Sequence, residues 1–361
     1  MARLSRYLLG LFWSEAMALF AVAAFLLFLI QCLRLFDALA EKGQSLATLL
    51  GQALLGMPAL GTGFLYVCLG IGLGRALRSL QSSGELQIIH VSGLLPALLR
   101  AVLVFTASGA VLLLLLAHVV NPLSQRALDD WSAGIAADLV SRSMIPHRIV
   151  QIADDVSITI AARDADGNIS GFFADDRRAP EAERTYFANT AIITRDAKGY
   201  VLRMQDGAIQ QLNGKSQLSE VSFARYDLPL DELTGTPNGS SPRGNETSLA
   251  LVAAALSAGT WSEDTVSALL SRNAEAIRVA AICLLVAGLA GFPAGRRRAP
   301  ILPVELGVLG AAFVERGLGT FLPLPPLAGP APGAAILLII AAVLLLVRLR
   351  AFGPPLRRAA A

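Results

Sequence analysis

The stretch Ala16–Leu33, AMALFAVAAFLLFLIQCL, runs for eighteen residues without a charge. As a helix rising about 1.5 Å per residue it nearly crosses about 30 Å of hydrocarbon, a solvent in which a chain must satisfy its own backbone groups. The whole chain fits that solvent. Of its 361 residues 54% are hydrophobic and 16% charged, and the mean hydropathy is +0.59, too apolar for a soluble protein of this size. Ala97–Val120, with Arg100 near its start, and Ala334–Val347 are further long apolar runs. Leu46–Leu73, with Pro58 and many glycines, the short Val279–Ala294, and Ile301–Leu322, which carries Glu305, Glu315 and Arg316, complete a count of six spans. The Ile301 run also reads as a re-entrant or interfacial segment.

Charge placement orients these runs, because Lys and Arg in short loops mark the cytoplasmic side. With the N-terminus inside, Arg3 and Arg6, Arg75 and Arg78, Arg296 to Arg298, and Arg348, Arg350, Arg357 and Arg358 all fall in the cytoplasm. The opposite short loops hold Arg34, Lys42 and Arg316. Six spans with both termini cytoplasmic satisfy every loop. The first run continues to Leu33 with no small-residue cleavage site before the next polar stretch, so it is expected to stay as an anchor. Cys32, Cys68 and Cys283 lie in or at the ends of spans, so the large polar segment has no disulfide to lean on. The net charge of +3, gathered on the inner face, suits anionic lipids rather than nucleic acid.

Between the third and fourth runs, from Asn121 to Arg272, hydropathy falls and charges of both signs appear. Asp166-Gly167, Lys198-Gly199, Asp206-Gly207 and Asn213-Gly214 read as tight hairpin turns. VSITIAARD, TYFANTAIITRD and YVLRMQD between them alternate as half-buried strands do. The spacing predicts an antiparallel sandwich or open barrel over Ile145–Leu230. GTPNGSSPRGN, from Gly235 to Asn245, reads as a flexible connector. LALVAAALSAG and SEDTVSALLSRNAEAIRVAA read as helices, with Ser262 and Asp264 as candidate caps. The expected division is 1–125 with the first three spans, 126–235 the β-domain, 236–272 linker and helical segment, and 273–361 the last three spans.

Enzyme chemistry finds little footing. His90, His118 and His147 fall in three different compartments, so neither a metal site nor a Ser-His-Asp cluster is indicated. GIGLGR, Gly70–Arg75, lacks the strand that a nucleotide-binding glycine loop requires and lies in an apolar run, where small residues let helices pack closely. No GxxxxGK[ST] occurs, so any ATP is used by another chain, and no cofactor is expected. Arg34, Lys42 and Arg316 have two readings: snorkelling to headgroups, or holding an anionic headgroup that enters a cavity between helices. Glu305 must face a partner or a cavity, since a carboxylate facing lipid is costly.

Several stretches resemble one family. RYLLGLFWSEAMALF (Arg6–Phe20), LRLFDALAEKG (Leu33–Gly43), LGRALRSLQSSGELQIIHVSG (Leu73–Gly93) and the three-plus-three arrangement around a β-domain are similar to the lipopolysaccharide export permeases LptF/LptG, also called YjgP/YjgQ. RLFDALAEKG is closer to the LptF members. The resemblance implies a polytopic α-helical protein of the Gram-negative inner membrane, with six transmembrane helices and an inserted periplasmic β-jellyroll domain. It implies a heterodimer with an LptG-type permease on two LptB ATPase subunits, passing lipopolysaccharide to LptC and the LptA bridge.

The same resemblance gives roles to residues. The loop of about 82–93 matches the family's coupling helix, whose acidic residue docks in the ATPase and falls on Glu85; Leu86, Ile88, Ile89 and Gly93 accompany it. An amphipathic helix there offers Leu86, Ile88, Ile89 and Val91 to a groove, while Glu85 near its N-terminus is favoured by the helix dipole. Glu85 either meets a basic residue of the motor or caps its own helix. Arg34 falls, with Lys42 nearby, where the family's basic residues at the outer end of the first helix receive lipid A phosphates, Arg316 joins them by the headgroup reading above, and the first and fifth spans match the family's lateral gates. Two rivals compete with a lipid extractor: a lipid-modifying enzyme, which would need the clustered acid/base or metal site that this sequence lacks, and a signalling or mechanotransmitting subunit coupled to an ATPase without transporting lipid.

Overall fold

In the computed structural model, residues 2–42, 46–164, 167–178, 182–196, 199–213, 217–230, 233, 245–293, 303–321 and 331–352 are described. The chain forms two compact units, Met1–Gln125 with Pro242–Ala361, and Arg126–Ser241. The first is helical: α1 (Ala2–Lys42), α2 (Leu46–Ser82), α3 (Glu85–Val91), α4 (Leu95–Leu115), then, after the strands, α6 (Ser248–Ala258), α7 (Glu263–Ala290), α8 (Val304–Phe321) and α9 (Ala331–Phe352). A π turn, Leu116–Val120, carries α4 without a break into α5 (Asn121–Ser143). Among the described residues α1, α2, α4 with its continuation, α7 and α9 are long and apolar enough to cross a bilayer. α8, on the expected fifth run, has 18 residues and carries Glu305, Glu315 and Arg316.

α2 is the hub of this unit, and glycines make it one. A Cβ at Gly72 would overlap the backbone of Ala16 on α1. One at Gly70 would meet Ile282 of α7 and Val308 of α8, and one at Gly74 would meet Val304 of α8 and Val286 of α7. Successive even positions of GIGLGR thus let three helices approach one backbone, the way helices associate in lipid, where hydrophobicity alone gives no preference for a neighbour. Phe105 of α4 sits edge-on to Phe12 and Trp13 of α1, with ring centroids 5.9 and 5.2 Å away, and closes the layer.

The expected fourth span is longer than its hydropathy suggests. α7 starts at Glu263, with Ser262 accepting from the Thr265 amide at 3.4 Å as its cap, so Asp264 belongs to the first turn rather than capping it. Glu275 and Arg278 broke the apolar run in the sequence, yet both lie inside the continuous helix. α6 has its own cap, Thr247, and ends on Gly259 at φ 65°. The connector 235–244 lies outside the described residues.

The second unit is a six-stranded antiparallel sheet in sequential order: β1 (Val150–Ala153), β2 (Val156–Arg163), β3 (Ile169–Asp176), β4 (Ala182–Asp196), β5 (Gly199–Asn213) and β6 (Gln217–Pro229). Asp206-Gly207 is not a turn, because β5 runs straight through it. Pairing instead lapses at Ala161, Gly171, Asn189, Asp206 and Ala224, which face one another across β2 to β6. This row is a crease across the sheet. Gly171 and Asp206 hold it with φ of 61° and 51°, a region that L residues seldom adopt. Along β4 the buried positions pass from Tyr186 and Ala188 to Ala191, so the inward-facing parity changes at the crease. Val156, Ile158, Ile160, Phe172, Leu202, Met204 and Leu228 fill the apolar side, joined by Ala137 and Val140 of α5.

Two outcomes follow from this packing. Gly72→Ala is expected to cost about 1–3 kcal/mol by overpacking and to lower the melting temperature in detergent, whereas Gly310→Ala, which meets nothing within 4 Å, leaves it unchanged or higher. In the sheet, Asp227 accepts from Arg225 and from Arg203, its partner across β5 and β6, and these hydrogen bonds hold its carboxyl down at about 2. An ordinary carboxyl titrates near pH 4, so this stabilisation is complete above that value and vanishes as the pH falls towards about 2. Asp227→Asn should therefore raise the pH midpoint of acid unfolding, followed by the β-sheet circular dichroism signal.

Candidate functional site

α3 is set between two left-handed glycines, Gly84 at φ 79° and Gly93 at φ 70°. At its end the Leu94 amide donates to Ile89 O at 2.9 Å and the Gly93 amide to His90 O at 3.2 Å, the paired bonds of a Schellman cap. Gly93 is thereby explained by conformation: only a residue without Cβ enters that φ freely. The helix has two unlike faces. Leu86 and Ile89 are buried in the core of the helical unit, while Ile88 is 65% and Val91 89% exposed. His90 lies on the inner flank, Nδ1 at 2.8 Å from Leu86 O and its ring 5.7 Å from that of Phe292. Of the four apolar residues expected to meet a groove, the structure leaves Ile88 and Val91 outside and uses Leu86 and Ile89 as anchors.

Glu85 is the first residue of α3 and is exposed. Gly84 occupies the cap position, and among the described residues Glu85 has neither an ion-pair nor a side-chain hydrogen-bond partner. Beside it, at the same end of α2, Arg75 faces Glu15 of α1 at 3.7 Å and Arg78 faces Glu305 of α8 at 3.6 Å. Glu305, which needed a partner, has Arg78. An open cavity of about 680 Å³ runs along this end, lined by Glu15, Arg75, Arg78, Ser79, Gln81 and Ser82.

Further along the bundle stands a buried charge network. Arg278 of α7, 5% exposed, donates through Nε to Glu315 of α8 at 3.0 Å and through Nη1 to Glu275 one turn earlier. The Tyr66 ring of α2 lies 5.9 Å from its guanidinium carbon. A cavity of about 280 Å³, lined by Thr62, Ala117, Asn121, Ser271, Arg272 and Glu275, borders the network. Nearby, Arg272 and the π-turn residue His118 each reach the Ser248 hydroxyl at 2.7 Å, tying α6 to α4 and α7.

The profile of the family described as lipopolysaccharide export system permease LptF/LptG matches residues 6–350. The chain is a member of that family. No curated protein matches it at a significant level. LptF/LptG proteins are membrane-embedded permease subunits of lipopolysaccharide export, not enzymes. Within this LptF/LptG chain the basic residues noted from the sequence are spread out. Arg34 is exposed on α1, and Lys42 ends that helix with its side chain outside the described residues. Arg316 is exposed on α8, its Nη2 3.6 Å from where a Cβ at Gly63 of α2 would stand.

Arg278 and Glu275 were missed because they appeared to end a hydrophobic run. The signal was present: Glu and Arg three apart on one helix pair with each other, which keeps a charged turn inside a span. Removing one member of a buried pair leaves charge unpaired, so Arg278→Met is expected to cost about 3–5 kcal/mol. The triple variant Arg278→Met/Glu275→Gln/Glu315→Gln should recover most of that loss. Melting of the detergent-solubilised proteins checks both.

Proposed function

We propose that this chain is the permease subunit of an ABC-type extractor, taking lipopolysaccharide from the inner membrane and passing it to a periplasmic bridge, with ATP hydrolysed by a separate ATPase. The observation that carries the reading is the asymmetry of α3. One face is locked into the helical core by Leu86 and Ile89, and the other presents Glu85, Ile88 and Val91, exposed and without a partner among the described residues. A force applied to the free face must move the anchored one. Glu85 then meets a basic residue of the motor, the helix dipole favouring a carboxylate at this end. In the alternative, Glu85 serves only to cap its own helix; among the described residues its carboxylate makes no side-chain hydrogen bond, which supports the coupling reading.

In this reading α8 is the fifth of six spans, both termini are cytoplasmic and the β-domain is periplasmic. The partners are an LptG-type permease, two LptB subunits, LptC and LptA. Closure of the ATPase pushes α3, the cavity between the two permeases shrinks, and lipid rises into the β-domain. Arg34, Lys42 and Arg316 meet lipid A phosphates through charge-assisted hydrogen bonds. The apolar side of the sheet is filled by its own side chains, so acyl chains enter only as those side chains give way.

Glu85→Ala should abolish co-purification of the ATPase or cut ATP-dependent lipopolysaccharide release about tenfold, the size of one lost charge-assisted contact, with membrane insertion intact. Normal release by the variant removes the coupling role. A photoreactive probe at Arg34 should trap lipopolysaccharide; an ATPase that co-purifies without any lipid adduct favours the signalling subunit instead.

A further inference from the structure

We infer that Glu315, gripped by Arg278, is a clasp that fixes α8 to α7 and thereby sets where Arg316 points, making Glu315 and Arg278 positioning residues for an anionic lipid headgroup. The inference rests on the permease reading above.

α8 is thinly held. Among its described side chains Val308 and Ala312 are the buried apolar ones, while Leu306, Leu309, Phe313 and Val314 are exposed, Phe313 by 82%. In a bilayer such side chains are as well placed against lipid as against α7, so apolar packing hardly chooses between a docked and a displaced α8. Glu315 does choose. It is 2% exposed, and parting it from Arg278 leaves its own charge without that partner in an apolar medium, while Arg278 keeps Glu275.

The two carboxylates on Arg278 do different work. Glu275 sits on α7 itself, three residues before Arg278, and its hydrogen bond stays within that helix, so it reaches α8 only through the field it shares with Arg316. Glu315 arrives from α8 and bonds Nε at 3.0 Å, so it ties two helices. A helix turns about 100° per residue, so with Glu315 locked inward the next residue is turned to the flank. There Arg316 lies along α2 at Gly63, which has no side chain to displace it. Free rotation of α8 would sweep that guanidinium away from α2.

The pair Glu315→Leu and Glu275→Leu tests this, because each leaves Arg278 with one carboxylate and only the first cuts the tie between helices. The chain is assembled with its native partners in nanodiscs. Spin labels are placed at Leu289→Cys on α7 and Phe313→Cys on α8, with Cys32→Ala. The expected result is a broadened or longer label distance in Glu315→Leu and an unchanged one in Glu275→Leu. Affinity for fluorescent lipopolysaccharide should fall about tenfold in the first and less than about twofold in the second, as for one charge-assisted contact misplaced.

An unchanged distance in Glu315→Leu, or equal effects in the two variants, overturns the clasp. A changed distance with undiminished affinity overturns the positioning of Arg316. If Glu315→Leu does not insert, Glu315→Gln against Glu275→Gln carries the same comparison, and equal distances overturn the clasp. If the parent complex binds no lipopolysaccharide the permease reading fails, while the label distances still judge the clasp.

Discussion

In hydrocarbon a polar group has only the partners its own protein provides, and this constraint shapes the helical unit at every scale. It makes the backbone helical, since a helix satisfies its own amides and carbonyls. It also governs the ionisable side chains. Arg278 lies inside α7 because Glu275 and Glu315 converge on it, and Glu305 is met by Arg78 at 3.6 Å. A buried ion pair adds little net stability when compared with well-packed apolar residues, but separating it is expensive. Such pairs therefore specify arrangement more than they strengthen it.

Where charge does not specify arrangement, absent side chains do. Gly70, Gly72 and Gly74 bring the backbone of α2 against α7, α8 and α1 within a single turn and a half, and Gly288 does the same for α7 against Leu344 of α9. Dispersion between closely approached backbones replaces the hydrophobic drive that lipid removes. α2 is thus the element to which the others are fitted. It leads through Ser83 and Gly84 directly into α3, so the hub of the bundle is joined to a helix whose outer face is open.

Much of this was legible in the sequence. Long apolar runs announced the helices at Ala16, Ala97 and Ala334, alternation marked β2 and β4, and the family resemblance rested on stretches spread over the first 93 residues and on the overall arrangement. Other features were hidden for physical reasons. Asp206-Gly207 carries turn chemistry but lies inside β5, where the backbone of β4 comes so close at Phe187 that no Cβ fits Gly207. The crease changes the inward parity within a strand, so β3 and β6 show no sustained alternation and were not singled out. The Glu275, Arg278 and Glu315 network joins residues 37 apart in sequence, and a hydropathy count sees only charges that interrupt an apolar run.

α3 brings these lines together. An amphipathic seven-residue helix has no stability of its own, because so short a helix does not overcome the cost of its nucleus. It persists because Leu86 and Ile89 are held in the core and because Gly84 and Gly93 end it sharply on both sides. A helix stabilised only by its anchored face cannot be displaced alone: a pull on Glu85, Ile88 or Val91 either moves the ends of α2 and α4 or melts α3. The buried residues of α3 therefore matter to coupling as much as the exposed ones. Their contribution differs in kind, since they keep the lever stiff and leave recognition to the outer face.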